Sequence, residues 1–235
     1  MEWNNKSEVR QHFIMALCGG FFGGYAIFGR SAVFGSAQTA NLIELVSDLL
    51  GRDFREVLLR LGALLLYISA MVLFAVLSRK TVWNLKYLVF LIETGAVVLL
   101  AVLPENLNPI VALYPVFFAA SFQWCVFKGA EGYACSTIFS TNNVKQTVLS
   151  FCDYFLTGQE QAQEREKSLK KGRFFGETLL FFHTGVACAF LGLKALGLSA
   201  IWLNLLVILA GLCATEALEG RIRAQLGGLR LNGPV

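Results

Sequence analysis

The stretch VLLRLGALLLYISAMVLFAVL occupies residues 57–77 and contains a single charged side chain, Arg60. A helix needs about 20 apolar residues to cross the ~30 Å hydrocarbon core of a bilayer. The whole chain has a similar character, with 56% hydrophobic residues, 15% charged residues and a mean hydropathy of +0.59. One soluble core could not bury so much apolar side chain. The sequence therefore predicts a membrane protein and argues against a soluble domain.

Other apolar stretches complete the pattern, and they lie at residues 13–28, 85–103, 110–127, 174–196 and 198–218. The runs are continuous and do not alternate, which favours helices over a β-barrel. The first run lacks an Ala-x-Ala-like cleavage site and contains four glycines, so it is not read as a signal peptide. The sequence predicts an all-α polytopic protein with one membrane domain over residues 1–235. It has about six transmembrane helices and a solvated cytoplasmic loop at 157–173.

The distribution of Lys and Arg predicts the orientation, because these residues favour the cytoplasmic side. Six spans place both termini and most basic residues inside, and leave only Arg52, Arg55 and Lys194 outside. Eight spans, with two further polar segments also crossing, would move Arg79, Lys80 and Lys86 outside. The six-span arrangement separates the charge better, and it predicts cytoplasmic termini in a bacterial inner membrane.

Two polar segments interrupt the apolar chain, FGSAQTANLIEL at 34–45 and IFSTNNVKQTVL at 138–149. Both contain Thr-x-Asn, and Asn41 and Asn143 are 102 positions apart (143 minus 41). Each follows one predicted span and precedes two more. Because three spans per repeat is an odd number, the second repeat would enter the membrane from the opposite side. The pattern predicts a 3+3 inverted repeat, with repeat one at about 11–103 and repeat two at about 110–220, as in many transporters.

Each segment also has the residue pattern of a helix start. Asn41 precedes Glu44 by three positions and Asn143 precedes Gln146 by three, which is the spacing of a capping box. Two opposed helix starts near the midplane would direct N–H groups and hydroxyls to one point, where a small polar or anionic solute could bind. The alternative is a pair of ordinary caps on interfacial helices. The predicted substrate-binding residues are Ser36, Gln38, Thr39, Asn41, Thr137, Ser140, Thr141 and Asn143.

These motifs resemble those of the bacterial YoaK family, also described as domain of unknown function 1275. The family's first pattern, Phe-x-Ser-x-x-Thr-Gly-Asn, is similar to residues 34–41. Its second pattern, Thr-Thr-x-x-Thr-Gly-Asn, is similar to residues 136–143. Contexts around Glu93 and Gly185 are also similar. Both family glycines are replaced here, by Ala40 and Asn142. The resemblance implies a membrane fold of uncharacterised function, for which transport has only been suggested.

Two ionisable residues fall near the middle of predicted spans, Glu93 and His183. Such residues are costly in lipid and are functional candidates, so proton coupling is one hypothesis. The alternative is that both satisfy structural hydrogen bonds. The six cysteines show no C-x-x-C spacing and are interpreted as small buried hydrophobes. No metal site, cofactor motif or catalytic motif appears, and nothing suggests a nucleic-acid partner.

Two function classes remain at this point. The repeat and the paired helix starts favour a small secondary transporter or channel-like permease that is not an enzyme. The alternative is a non-transporting membrane protein, either an assembly partner or an enzyme acting on a lipid-like substrate. The expected partners are the lipid bilayer and a small solute. The glycine pairs Gly19/Gly23 and Gly20/Gly24 allow close helix packing, either within the chain against a motif helix or in a homodimer.

Overall fold

A computed structural model describes residues 2–30 and 38–231, which are mostly helical. The α-helices are α1 (Glu2–Gly29), α2 (Gln38–Gly51), α3 (Phe54–Lys80), α4 (Leu85–Val102), α5 (Pro109–Ala112), α6 (Tyr114–Val126), α7 (Thr141–Leu156), α8 (Ala162–Leu196) and α9 (Asn204–Leu231). A small antiparallel hairpin, β1 (Gly129–Ala130) and β2 (Tyr133–Ala134), follows α6. Short 3-10 helices at Gln159–Gln161 and Gly197–Leu203 precede α8 and α9. The predicted helical membrane architecture is confirmed at this level.

Four stretches of the described residues are long and apolar enough to cross a membrane. They are Lys6–Gly29, Phe54–Lys80, Leu85–Val102 and Gln159–Gly220, and the last contains both α8 and α9. The predicted segment 110–127 is instead divided at Leu113 into α5 and α6. Pro115 lies in the first turn of α6 and has no N–H to donate, so a continuous helical hydrogen-bond ladder cannot pass through it.

Helix α1 lies at the centre of the protein and packs against α8 through glycines on both helices. A Cβ added at Gly20 would overlap the carbonyl oxygen of Phe182, and one added at Gly185 would overlap that of Leu17. The glycines of α1 therefore pack within the chain, as predicted, but onto α8 and not primarily onto a motif helix. Gly19 is the exception, because a Cβ there would overlap the carbonyl oxygen of Thr137, just before α7.

The remaining helices form packed pairs around α1. Helix α1 also contacts α9, while α3 packs against α6 and α4 packs against both α6 and α9. The two motif helices lie outside this group, α2 against α3 and α7 against α8. The buried core accordingly combines side chains of α1, α3, α4, α6, α8 and α9.

Polar contacts at the helix ends define two faces of the protein. At one face, Arg30 follows α1 and donates to the carbonyl oxygens of Leu103 and Pro104, which follow α4. Toward the other face, Gln11 in the first half of α1 bonds Thr215, which lies well beyond Asn204, the first residue of α9. Helices α1 and α4 therefore run in the same direction, and α9 runs in the opposite one.

The prediction that residues 157–173 form a loop is wrong, because most of them are helical. Helix α8 begins at Ala162, and only residues 157–161 lie outside the two long helices. The segment from 162 to 173 is rich in Ala, Gln, Glu, Lys and Arg, which are strong helix formers, and Glu166 lies four positions before Lys170. The charged segment therefore extends α8 beyond its apolar part.

Candidate functional site

The residues before α7 are held deep in the protein by contacts to α1 and α6. The Gln123 side-chain amide donates to Thr137 Oγ1 at 3.0 Å and to the Met15 carbonyl oxygen at 2.9 Å. Thr137 and Gln123 are buried, and Gly19 provides the space for the Thr137 backbone. Met15 and Gly19 lie near the middle of α1. The second motif is thus non-helical backbone covered by protein at the level of the middle of α1, and covered backbone of this kind is what a membrane tolerates.

Asn143 is buried and makes a closed set of hydrogen bonds. Its Nδ2 donates to the carbonyl oxygens of Ser136 at 2.7 Å and Phe139 at 3.1 Å. Its Oδ1 accepts from the Cys135 thiol at 3.4 Å, and that thiol also lies 3.6 Å from Thr178 Oγ1. Asn143 therefore fixes the backbone that precedes α7, and both groups of its amide are occupied.

The predicted capping box at Asn143 and Gln146 is wrong. Helix α7 begins at Thr141, so Asn143 lies in its first turn, and the cap residue Ser140 makes no side-chain capping bond. The capping prediction fails because the Asn143 amide bonds carbonyl oxygens of the preceding segment. Thr141 is exposed and Ser140 is half-buried.

The first motif has a different environment. Asn41 lies in the first turn of α2 as described from Gln38 and is only 6% exposed, while Thr39 is exposed. Asn41 Nδ2 and Gln38 Nε2 are buried and have no hydrogen-bond partner among the described residues. Ser36 belongs to residues 31–37, which lie outside the described residues. The described part of this motif therefore contains two amide donors that no group in residues 2–30 or 38–231 accepts from.

Glu44 pairs with Arg60 of α3, so it does not act as the predicted capping residue of Asn41. Arg60 Nε also donates to Asp48 at 2.5 Å, and Glu44 contacts Arg60 as an ion pair without hydrogen-bond alignment. The Arg60 side chain is 13% exposed. A buried guanidinium requires acidic partners, and α2 provides both.

The structure gives the two motif helices separate environments. Helix α2 packs on α3 and α7 packs on α8, with no extensive interface between α2 and α7 in the described residues. Neither replaced family glycine is in a left-handed conformation, because the described non-glycine residues with positive φ are Arg52 and Glu131. Ala40 and Asn142 are both part of regular helix.

Glu93 and His183 lie in different surroundings. Glu93 is completely buried, and its Oε2 accepts from the Cys18 thiol at 3.7 Å. His183 is exposed, and its Nδ1 lies 2.8 Å from the carbonyl oxygen of Leu179 in its own helix. The structure therefore does not place His183 against Glu93.

The groups near Glu93 form a buried polar cluster that joins α1, α4 and α9. Asn204 Nδ2 donates to the Cys18 sulfur at 3.5 Å, and Asn204 is also completely buried. Glu93 Oε1 and Asn204 Oδ1 have no hydrogen-bond partner within the described residues. Cys18 is therefore more than a small hydrophobe. A carboxylate without a cationic partner is costly in such a place, which favours a protonated Glu93.

Sequence analysis did not single out Gln123 and Asn204. Both are uncharged polar residues inside apolar runs, and they were missed because only ionisable residues within the runs were considered. The useful signal is any amide side chain within a predicted span, since it must find a partner there. Among the described residues, no group of three or more His, Cys, Asp or Glu side chains is arranged to hold a metal ion.

Comparison with family models gives one match, over residues 11–214, to the family described as Protein of unknown function (DUF1275). The chain belongs to this family. The match covers the polar contacts of the second motif and of the cluster around Glu93, from Met15 to Asn204, so these belong to the DUF1275 domain. No curated protein and no solved structure matches the chain.

Proposed function

We propose that this DUF1275 protein is a small secondary transporter or channel-like permease for a small polar or anionic solute. The observation that carries the proposal is a packing pattern that occurs twice. Each half has a first helix, a motif helix, and then a second and a third helix. In the first half these are α1, α2, α3 and α4, and in the second half they are α6, α7, α8 and α9. Packing of α1 with α8 then corresponds to packing of α6 with α3, and α1 with α9 corresponds to α6 with α4.

The motif helices follow the same rule, since α2 packs on α3 as α7 packs on α8. The directions in which the helices run support an inversion of the second half relative to the first. The end of α1 meets residues 103–105, and Asn108 just before α5 bonds Glu56 near the start of α3. The end of α1 and the start of the second half therefore share one face. These contacts favour six spans in a 3+3 inverted repeat, with the segment 109–126 as the fourth span.

The proposed solute site includes the starts of α2 and α7, where each half buries one asparagine. Buried amides without a partner are costly, so unused donors at Asn41 and Gln38 favour a ligand with acceptor oxygens. Protonated Glu93, next to Cys18 and Asn204, is the candidate for proton coupling. Transport requires no chemical conversion, so no enzymatic activity is proposed.

Uptake into proteoliposomes tests the function directly. Purified protein is reconstituted and offered a panel of small carboxylates, inorganic anions and neutral polar metabolites, with empty liposomes as the reference. We expect saturable uptake of at least one anion, and weaker uptake by Asn41→Ala. Ser47→Ala is the matched control, because Ser47 is an exposed polar residue of α2 that lies away from the start of the helix. Absence of uptake across the panel by folded protein would remove the transport proposal.

We further propose that the protein lies in a bacterial inner membrane with both termini in the cytoplasm. Single cysteines at positions 106 and 167 test this, because both side chains are exposed and only the membrane side differs. The background should replace Cys125, Cys152, Cys188 and Cys213 but keep the buried Cys18 and Cys135. An impermeant reagent added outside should label 106 and not 167. The reverse pattern would invert the orientation.

A further inference from the structure

A groove of about 640 Å³ lies between α3, the end of α6 and the segment that leads into α7. Its apolar lining includes Met71, Trp124 and Phe139, and its polar lining includes Lys128 and Asn142. Trp124 is 37% exposed at this surface. The groove thus combines an apolar wall with a cation and an amide.

Lys128 gives the groove its charge. Its ammonium lies 4.9 Å from the centre of the Phe74 ring, and it forms no ion pair with a carboxylate in the described part of the chain. Phe74 lies six positions before Lys80 at the end of α3, so Lys128 lies toward the membrane face where α3 ends. A cation and an exposed tryptophan are typical of the level of lipid headgroups.

We propose that this groove binds an anionic phospholipid, with an acyl chain along Met71, Trp124 and Phe139 and the phosphate at Lys128 and Asn142. Charge complementarity favours an anionic headgroup, because Lys128 is positively charged and has no acidic partner among the described residues. The apolar wall commits it to a lipid, since a free phosphate would leave the wall unoccupied. The site does not depend on the transport proposal, because it requires only lipid contact.

Quenching of tryptophan fluorescence by brominated acyl chains locates the lipid. Wild-type protein and Trp124→Phe are titrated in mixed micelles with brominated phosphatidylglycerol or brominated phosphatidylcholine. The difference between the two proteins isolates Trp124 from Trp3, Trp83 and Trp202. We expect this difference signal to saturate at lower phosphatidylglycerol than phosphatidylcholine.

Substitution of the cation tests the headgroup contact. Lys128→Gln should weaken phosphatidylglycerol binding about fivefold, the usual worth of one lysine near an anionic lipid surface. Lys128→Arg should retain binding, and Lys80→Gln should leave it unchanged because Lys80 is an exposed lysine outside the groove lining.

Three results would overturn the proposal. Equal quenching of Trp124 by both lipids would indicate ordinary surrounding lipid. Equal losses in Lys128→Gln and Lys80→Gln would indicate a general surface charge effect. Displacement of phosphatidylglycerol by millimolar inorganic phosphate would assign Lys128 to a free anion. The wild-type comparison remains decisive if Lys128→Gln does not fold.

Discussion

Asn41 and Asn143 occupy the same position of the two Thr-x-Asn motifs but differ in what surrounds their amides. Both are buried in the first turn of a motif helix. Asn143 bonds two carbonyl oxygens and a thiol, whereas Asn41 Nδ2 has no partner in the part of the chain that the structure describes. Removing a satisfied buried amide leaves other groups unpaired, while removing an unsatisfied one does not. The comparison teaches that the same motif fixes the preceding backbone at α7, whereas at α2 it leaves donors without an acceptor among the described residues.

The largest effect is expected at Asn143. Asn143→Ala would leave the carbonyl oxygens of Ser136 and Phe139 without this donor, at a cost of about 3 kcal/mol in the free energy of unfolding. Thermal unfolding in detergent measures this as a lower midpoint. Asn142→Ala is the neighbouring control and should change stability by less than about 0.5 kcal/mol. Equal stability of the two variants would show that Asn143 does not fix the segment before α7.

A smaller effect is expected where α1 holds the second motif. Gly19→Ala would force its Cβ against the carbonyl oxygen of Thr137, at a cost of about 2 kcal/mol. Gly95→Ala provides the control, since a Cβ there meets no atom within 4 Å. Thermal midpoints of both variants should separate clearly. An unchanged Gly19→Ala would mean that the 135–140 segment can move away from α1.

A still smaller loss of stability is expected where Arg60 of α3 holds α2, the helix of the first motif. Arg60→Gln removes the cation from Glu44 and Asp48, and we expect a loss of about 1 kcal/mol because the pairs are partly exposed. Faster proteolysis between α2 and α3, near Arg52, would report release of α2. Unchanged proteolysis would show that apolar packing on α3 holds α2 without the ion pairs. Lys194→Gln is the control, a basic residue that pairs with no acidic side chain in the described residues.

The smallest stability effect is expected at Asn41. Asn41→Ala should change the free energy of unfolding by about 0.5 kcal/mol or less, because its Nδ2 has no partner to lose. Solute uptake should fall in the same variant if those donors bind the solute. A loss of stability comparable to that of Asn143→Ala would remove the difference between the two motifs.

The sequence by itself determined the membrane class, the family and the positions of most long helices. Apolar length indicates the membrane class and the long helices, because a bilayer requires helices of a fixed hydrophobic length, and the two motifs indicate the family. It also located the two motifs and the intramembrane Glu93. Helix starts were placed about one turn late at both motifs, since local spacing alone favoured Asn as a cap. The charged 162–173 segment was misjudged because its charge was read as a loop, although its residues are strong helix formers.

Only the tertiary structure decided which polar groups meet. Gln123 and Thr137 are 14 positions apart, but Cys18 and Asn204 are 186 positions apart and become neighbours through packing of α1 with α9. The partner of Glu44 is Arg60 because α2 folds back on α3. Two segments with the same Thr-x-Asn pattern differ because burial leaves each amide with whatever partners its own packing brings. Hydrogen-bond satisfaction is a property of three-dimensional neighbours, so no local pattern could have separated Asn41 from Asn143.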